Sequence, residues 1–320
     1  MYRRRVSLFK KIHRLGSILS MMKILTSVCL FLFLVPVVSL GDIKVVEIGT
    51  KPESVCRGYD DKLYVTLING DEPGDGTIKV VDGDSISVFA TGLNDPKGIA
   101  FVGGYLVVAD GTTVRVIDKN GKVAVLAEAE DFPSPVEFLN DVAASDDGQS
   151  VYVTEMSHPK WMFDPEGERK LWPVDSDKVI APMTGCVFKV GLDGKVAMAV
   201  PAGDTRMPGP NGVTVMRQKG KEILLMGDFF TGNLVTYSEN KFRIVASGMR
   251  GADAVEVMGN KIYVSSWPLG KVWCYDRVTR KTTVVSEDFT TAADFCIDHK
   301  NKQLIVPDML AGTLVFLPIE

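Results

Sequence analysis

The chain has 320 residues, 46% of them hydrophobic and 24% charged, with a formal net charge of −4. That balance excludes a disordered chain, a collagen-like repeat and a polytopic membrane protein, and it supplies ample apolar material for a core. Residues 1–41 hold seven of the 36 basic residues and no acidic one, so residues 42–320 carry 29 basic against 40 acidic residues, a net −11. A body of that sign repels polyphosphate, which argues against nucleic acid as a partner, and suits cations.

In chain order, the basic start and the uncharged run ILTSVCLFLFLVPVV (24–38), followed by Ser39 and Gly41, read as a secretory signal cut after Gly41. Met21 and Met22 are alternative starts, and an uncleaved anchor is the competing reading. The expectation is an exported protein, periplasmic, secreted or lumenal, with no membrane contact beyond this segment. Four cysteines follow (Cys56, Cys186, Cys274, Cys296), without a CxxC pair. Export permits disulfides, three pairings stay open, and buried free thiols are the plainer reading. With only His158 and His299 left as imidazoles, zinc is disfavoured.

From residue 52 one pattern recurs six times. First strands open at PESVCRG (52–58), PKGIAFV (96–102), NDVAAS (140–145), PNGVTVM (210–216), ADAVEVM (252–258) and ADFCID (293–298). Second strands follow at 62–67, 105–110, 150–155, 222–228, 261–266 and 303–308, and third strands such as GTIKVVD (76–82) and GTLVFLP (312–318) come next. Fourth strands such as ISVFAT (86–91) complete five copies. Period-two alternation and β-branched content mark strands, and no segment offers a long helical period. Four short strands repeated every forty-odd residues predict an all-β, six-bladed β-propeller over 42–320. The sixth copy ends after its third strand, so the spare strand IKVVEI (43–48) is expected to close it, removing the open edges.

In such a ring the first strands line the central channel, and function belongs to the loops on the face where they begin. Their opening residues are Glu53, Lys97, Asn140 with Asp141, Asn211, Asp253 and Asp294. Two carboxylates (Glu53, Asp253) and two amide oxygens (Asn140, Asn211) suit a hard cation, Ca²⁺ or another divalent ion, with room for water and a substrate oxygen. Asn and Asp also favour turns before strands, which is the bland alternative at any one position. An insertion in copy three, about 156–185, carries Trp161, Phe163 and Trp172 with His158, Arg169 and Lys170, and is expected to overhang this face as a lid. Phe229, Phe230 and Trp267 are candidates for the opposite wall or for packing, Glu155 for a substrate hydroxyl contact or a carboxylate supporting the site from behind, Asp110 and Asp228 for braces of neighbouring loops, and Arg206 for an anionic substrate group or a plain exposed cation.

PESV, FLNDVAASDDGQSVYVTE, GPNGVTV and GADAVEV resemble the matching stretches of calcium-dependent six-bladed propellers of the gluconolactonase/regucalcin group, with strictosidine synthase, paraoxonase and diisopropylfluorophosphatase as relatives. The resemblance implies metal ligation by Glu53, Asn211 and Asp253, with Asn140 as a further metal or substrate contact. Asp253 is followed by Ala254 instead of the usual Gly or Asn, and a paraoxonase-like histidine dyad is absent. The resulting expectation is a monomeric hydrolase of small lactones or related esters, with the metal polarising the carbonyl and Asp253 as base or nucleophile. A non-catalytic ligand- or protein-binding propeller, or a strictosidine-synthase-like lyase, are the alternatives.

Overall fold

The computed structural model describes residues 43–164, 171–173, 176 and 178–319, with the backbone alone for Lys160 and Trp161. Contacts divide the chain into residues 1–39 and 40–320, and the structure below is that of the second unit. The N-terminal segment read as a secretory signal, Arg169 and Lys170 lie outside the described residues, as does the side chain of Trp161.

Six four-stranded antiparallel sheets follow one another in chain order, and the inner strand of each packs against the inner strand of the next, the sixth returning to the first. The molecule is a six-bladed β-propeller. The inner strands are Pro52–Arg57, Pro96–Val102, Leu139–Ala144, Pro210–Gln218, Ala252–Met258 and Cys296–Asp298. Lys44–Glu47 pairs antiparallel with Thr313–Pro318, so the ring is closed by the N-terminal strand as its sequence implied. The sixth inner strand is a correction: it starts at Cys296, three residues later than the repeat suggests, and leaves Asp294 ahead of it. The Asp294 carboxylate instead accepts a hydrogen bond from Ser54 Oγ of the first blade.

Alternation along each strand sends one face toward each neighbouring blade. The consequence is six apolar clusters, one per interface, for example Val107, Val114 and Leu139 with Val151 and Phe188 between blades two and three. Among the described residues the blade cores are thus divided among the interfaces, and inner-strand residues line two cavities at the axis. Among the described residues no helix is long and apolar enough to cross a membrane. The four cysteines are free thiols, Cys186 and Cys274 buried.

Each of the first five inner strands breaks register with its second strand at its start: between Pro52 and Val55, Pro96 and Ile99, Leu139 and Val142, Pro210 and Val213, and Ala252 and Val255. Such bulges bend a strand and re-aim its side chains. Three are held by a buried hydroxyl on the second strand. Thr66 Oγ1 accepts from Ser54 N (3.0 Å), Thr154 Oγ1 from Asp141 N (2.8 Å) and Ser265 Oγ from Ala254 N (2.8 Å). Thr66 and Ser265 also donate across the blade interface, to Lys97 O (2.8 Å) and Ala293 O (2.9 Å). Ser265→Ala would orphan one buried N–H and one buried C=O, so a loss of roughly 2 kcal/mol is expected in urea unfolding of the metal-free protein. A loss below about 0.5 kcal/mol would show that the hydroxyl braces nothing.

Candidate metal and substrate site

The bulges decide where the polar residues point. Glu53, Lys97, Asn140, Asn211 and Asp253 each lie inside a register break, each is at most 5% exposed, and all five line one cavity of about 360 Å³. The four predicted oxygen donors are thus brought together from four blades. Asp141 and Asp294 are not: their carboxyl groups face a second cavity of about 280 Å³, lined by residues further along the same inner strands with Glu256. Asp141 accepts from Val142 N and Val213 N, both at 2.6 Å, which turns it away from the mouth.

The hydrogen bonds of the mouth leave oxygens, not hydrogens, unmatched. Asn211 Nδ2 donates to Asp253 Oδ1 at 2.7 Å, and Asn140 Nδ2 reaches Met156 Sδ at 3.7 Å. The Asn211 amide is thereby oriented with its carbonyl oxygen free. Glu53 Oε2 and Asn211 Oδ1 are buried without a hydrogen-bond partner. Buried acceptors without donors cost free energy unless a donor or a cation meets them. This donor set, hard oxygens from two carboxylates and two amides, fits a divalent cation of the Ca²⁺ type. No three His, Cys, Asp or Glu side chains cluster as a metal site among the described residues, so any cation here relies on the amides.

The electrostatics agree with that reading. Burial, then the Asp253 charge, hold the Glu53 carboxyl well above its usual range, with the Lys97 ammonium opposing. Burial and the Asp141 carboxylate push Asp253 up to about 8. Lys97 is itself buried, bonded to Asp95 at the rim and seated 4.3 Å from the centre of the Phe138 ring. It is the one strand-opening residue without a side-chain oxygen, and it sets an ammonium against the carboxylate floor, a role that its place in the repeat does not signal.

Above the floor, opposite a charged rim of Lys51, Asp71 and Asp95, the described wall residues are apolar. Met156, Pro159 and Phe163 of the copy-three insertion, Phe229 and Trp267 all line the cavity. Phe163 packs against Phe229 and Trp267, with ring centres 6.5 and 6.2 Å apart. The described part of the insertion therefore forms a wall of the cavity, tied down by Trp172 N–H to Met162 O (2.9 Å) and by the Arg250 guanidinium, which donates to Trp172 O. His158 is exposed and rests 5.5 Å from the Phe138 ring.

Two expected substrate contacts lie elsewhere. Glu155 is buried, absent from the cavity lining, and accepts from the backbone N–H groups of Glu137, Phe138 and Ser157 at 2.8–3.1 Å. It pins the loop that enters its own blade, as Asp110 does for Asn94 and Asp95, and Asp308 for Thr290 and Thr291. Arg206 is outside the cavity, paired with Asp204 (2.6 Å) and donating to Phe242 O (2.9 Å). The repeated acid at the end of a second strand is the sequence signal of this bracing role.

No family model and no curated protein matches the chain. Among solved structures it is similar to a gluconolactonase from Xanthomonas campestris, at 17% identity, covering 88% of this chain and 91% of that one, with a TM-score of 0.63. It is also similar to a chain of a nidogen/laminin complex, at 14% identity, covering 73% and 79%, with a TM-score of 0.55. At these identities the likeness is one of fold.

Proposed function

We propose that this propeller is an exported, calcium-dependent hydrolase of lactones or related esters. The observation that carries the reading is the pair of buried, partnerless acceptors, Glu53 Oε2 and Asn211 Oδ1, in one cavity with Asp253 and Asn140. The gluconolactonase of the same fold adds the reaction class. Glu53, Asn140, Asn211 and Asp253 would hold the ion. When bound, it would supply Lewis-acid polarisation of a carbonyl. The protein's part is to hold the ester over the floor and keep bulk water out with Phe163, Phe229 and Trp267. Asp253 then takes a proton from the attacking water, with Asn211 Nδ2 fixing the carboxylate through Oδ1. Lys97, facing the same space, offsets negative charge that develops on the ester oxygen.

A pH-resolved calcium titration tests the metal. The free protein keeps Asp253 protonated up to about pH 8, and Glu53 is raised as well, whereas ligation requires both ionised. Binding therefore expels protons, and affinity should rise from pH 6 to 8 by up to about tenfold per pH unit for each proton released. Calcium should raise the melting temperature more at the higher pH, and lactone hydrolysis should stop on chelation. A thermal shift that is absent or shrinks as pH rises would remove the metal from the proposal.

A further inference from the structure

Resting on that hydrolase reading, we infer that the preferred substrates are esters or lactones bearing an unhydroxylated aliphatic chain, not polyhydroxylated sugar lactones. Three observations combine.

The first is the polarity of the cavity. Among the described residues, charge is confined to the floor, Glu53 and Asp253, and to one rim, where Lys97 is bonded to Asp95 and Lys51 to Asp71. Apart from the floor amides of Asn140 and Asn211, the remaining described lining is hydrocarbon, aromatic or thioether: Met156, Phe138, Phe163, Phe229 and Trp267 of one apolar cluster, with Pro159, Ile68, Met309 and Leu310.

Second, the polar atoms in those walls are already spoken for. Trp267 Nε1 donates to Met309 Sδ at 2.8 Å, and Asn140 Nδ2 is turned to Met156. Phe138 N donates to Glu155, which is itself saturated by backbone N–H groups. A ring hydroxyl facing this side would lose water and gain no partner, which weakens binding by roughly tenfold or more for each group so placed.

The third is rigidity. Phe229 is 3% and Met156 2% exposed, both set in an apolar cluster with Met162 and Phe230, so the wall is preformed. A substrate is thus oriented with its ester at the floor, between the carboxylates and Lys97, and its chain along the Phe163–Trp267 wall. The volume, about 360 Å³, is at the compact end for a small-molecule site.

The test is a kcat/KM series on calcium-loaded protein: δ-lactones with side chains of increasing length, and glucono-δ-lactone as the hydroxylated counterpart. Each of the first few added methylenes should raise kcat/KM by about fourfold, the value of burying one such group. Glucono-δ-lactone should lie at least ~100-fold below the best alkyl lactone, as two or more unmatched hydroxyls imply. A flat series, or gluconolactone as the better substrate, would overturn the inference while leaving a hydrolase. Calorimetry with the corresponding alkyl δ-lactams, which resist hydrolysis, separates the two claims. If no lactone turns over but lactam affinity climbs with chain length, the chain-binding wall stands and the hydrolase reading falls. If neither turnover nor lactam binding is found, both fall.

Discussion

Asp253→Asn should abolish calcium binding and cut lactone turnover by ~10²–10³-fold or more, yet leave the metal-free protein at least as stable as wild type. The two halves have one cause. Asp253 is 3% exposed in a cavity that also holds Glu53, and burial lifts its carboxyl to about 8. Between the ordinary carboxylate range and that value, the folded chain retains a proton that the unfolded chain has released. Stability conferred by the protonated form is therefore lost as pH rises toward 8, by on the order of a few kcal/mol for a group so enclosed. The amide of Asn removes that dependence and needs no counter-charge. It also cannot ligate as an anion or accept the proton of an attacking water. In chelator at pH 8, the variant should melt at or above wild type, and its calcium response should vanish. Wild-type turnover in Asp253→Asn would end the proposed mechanism, and a large loss of stability would show that the carboxylate is structural. Glu53→Gln should behave alike for calcium, because its Oε2 is the buried acceptor without a partner.

The fold was open to reading because its period is written in the chain. Six strands that begin alike, from PESV to ADFC, and second strands ending in Asp110, Glu155, Asp228 or Asp308 define the blades before any contact is known. Convergence of Glu53, Asn140, Asn211 and Asp253 on one cavity follows from their shared place in the repeat, since the ring maps equal positions onto one face. What the repeat does not contain is how each strand is bent. The bulges rest on hydroxyls contributed by the neighbouring strand, Thr66, Thr154 and Ser265, about eleven to thirteen residues away in the chain. A Ser or Thr one residue before the end of a second strand is the available cue. Without the bulge, Asn140 and Asp141 look interchangeable, whereas one faces the mouth and the other the inner channel. Of the two roles open to Glu155, the structure shows the supporting one, for a related reason. A carboxylate near a site reads as a ligand or contact until the free backbone N–H groups of the loop before its own blade are placed around it. Lys97 shows the reverse: a lysine opening a strand reads as solvated, but the ring buries it, and the Phe138 face and Asp95 compensate.

Gly212→Ala should be among the most damaging small substitutions in the protein, at a cost of about 3 kcal/mol or more. Gly212 follows Asn211 inside the fourth inner bulge, where inner strands of adjacent blades close on the axis. A Cβ there would stand 2.0 Å from Asp253 O and 2.8 Å from Ala254 C and Val255 N, all backbone atoms of blade five. Backbone cannot rotate aside as a side chain can, so blades four and five must separate or the strand must re-register. Gly98 is in the same position between blades two and three, with Asp141 Cα 2.5 Å from its virtual Cβ. The displacement would act on function as well, because Asn211 and Asp253, linked by a 2.7 Å hydrogen bond, sit on the two strands pushed apart. Gly212→Ala is therefore expected to lose calcium affinity along with stability. Gly74→Ala is the comparison: its φ of +86° is strained for alanine, but nothing lies within 4 Å of the added carbon, so only a backbone cost of about 1 kcal/mol is expected. If the two variants unfold at the same urea concentration, close approach at the hub is not what sets glycine at position 212. If Gly212→Ala is destabilised while its calcium affinity matches wild type, the Asn211–Asp253 pair does not depend on blade spacing, and the ligand geometry must be set within each blade alone.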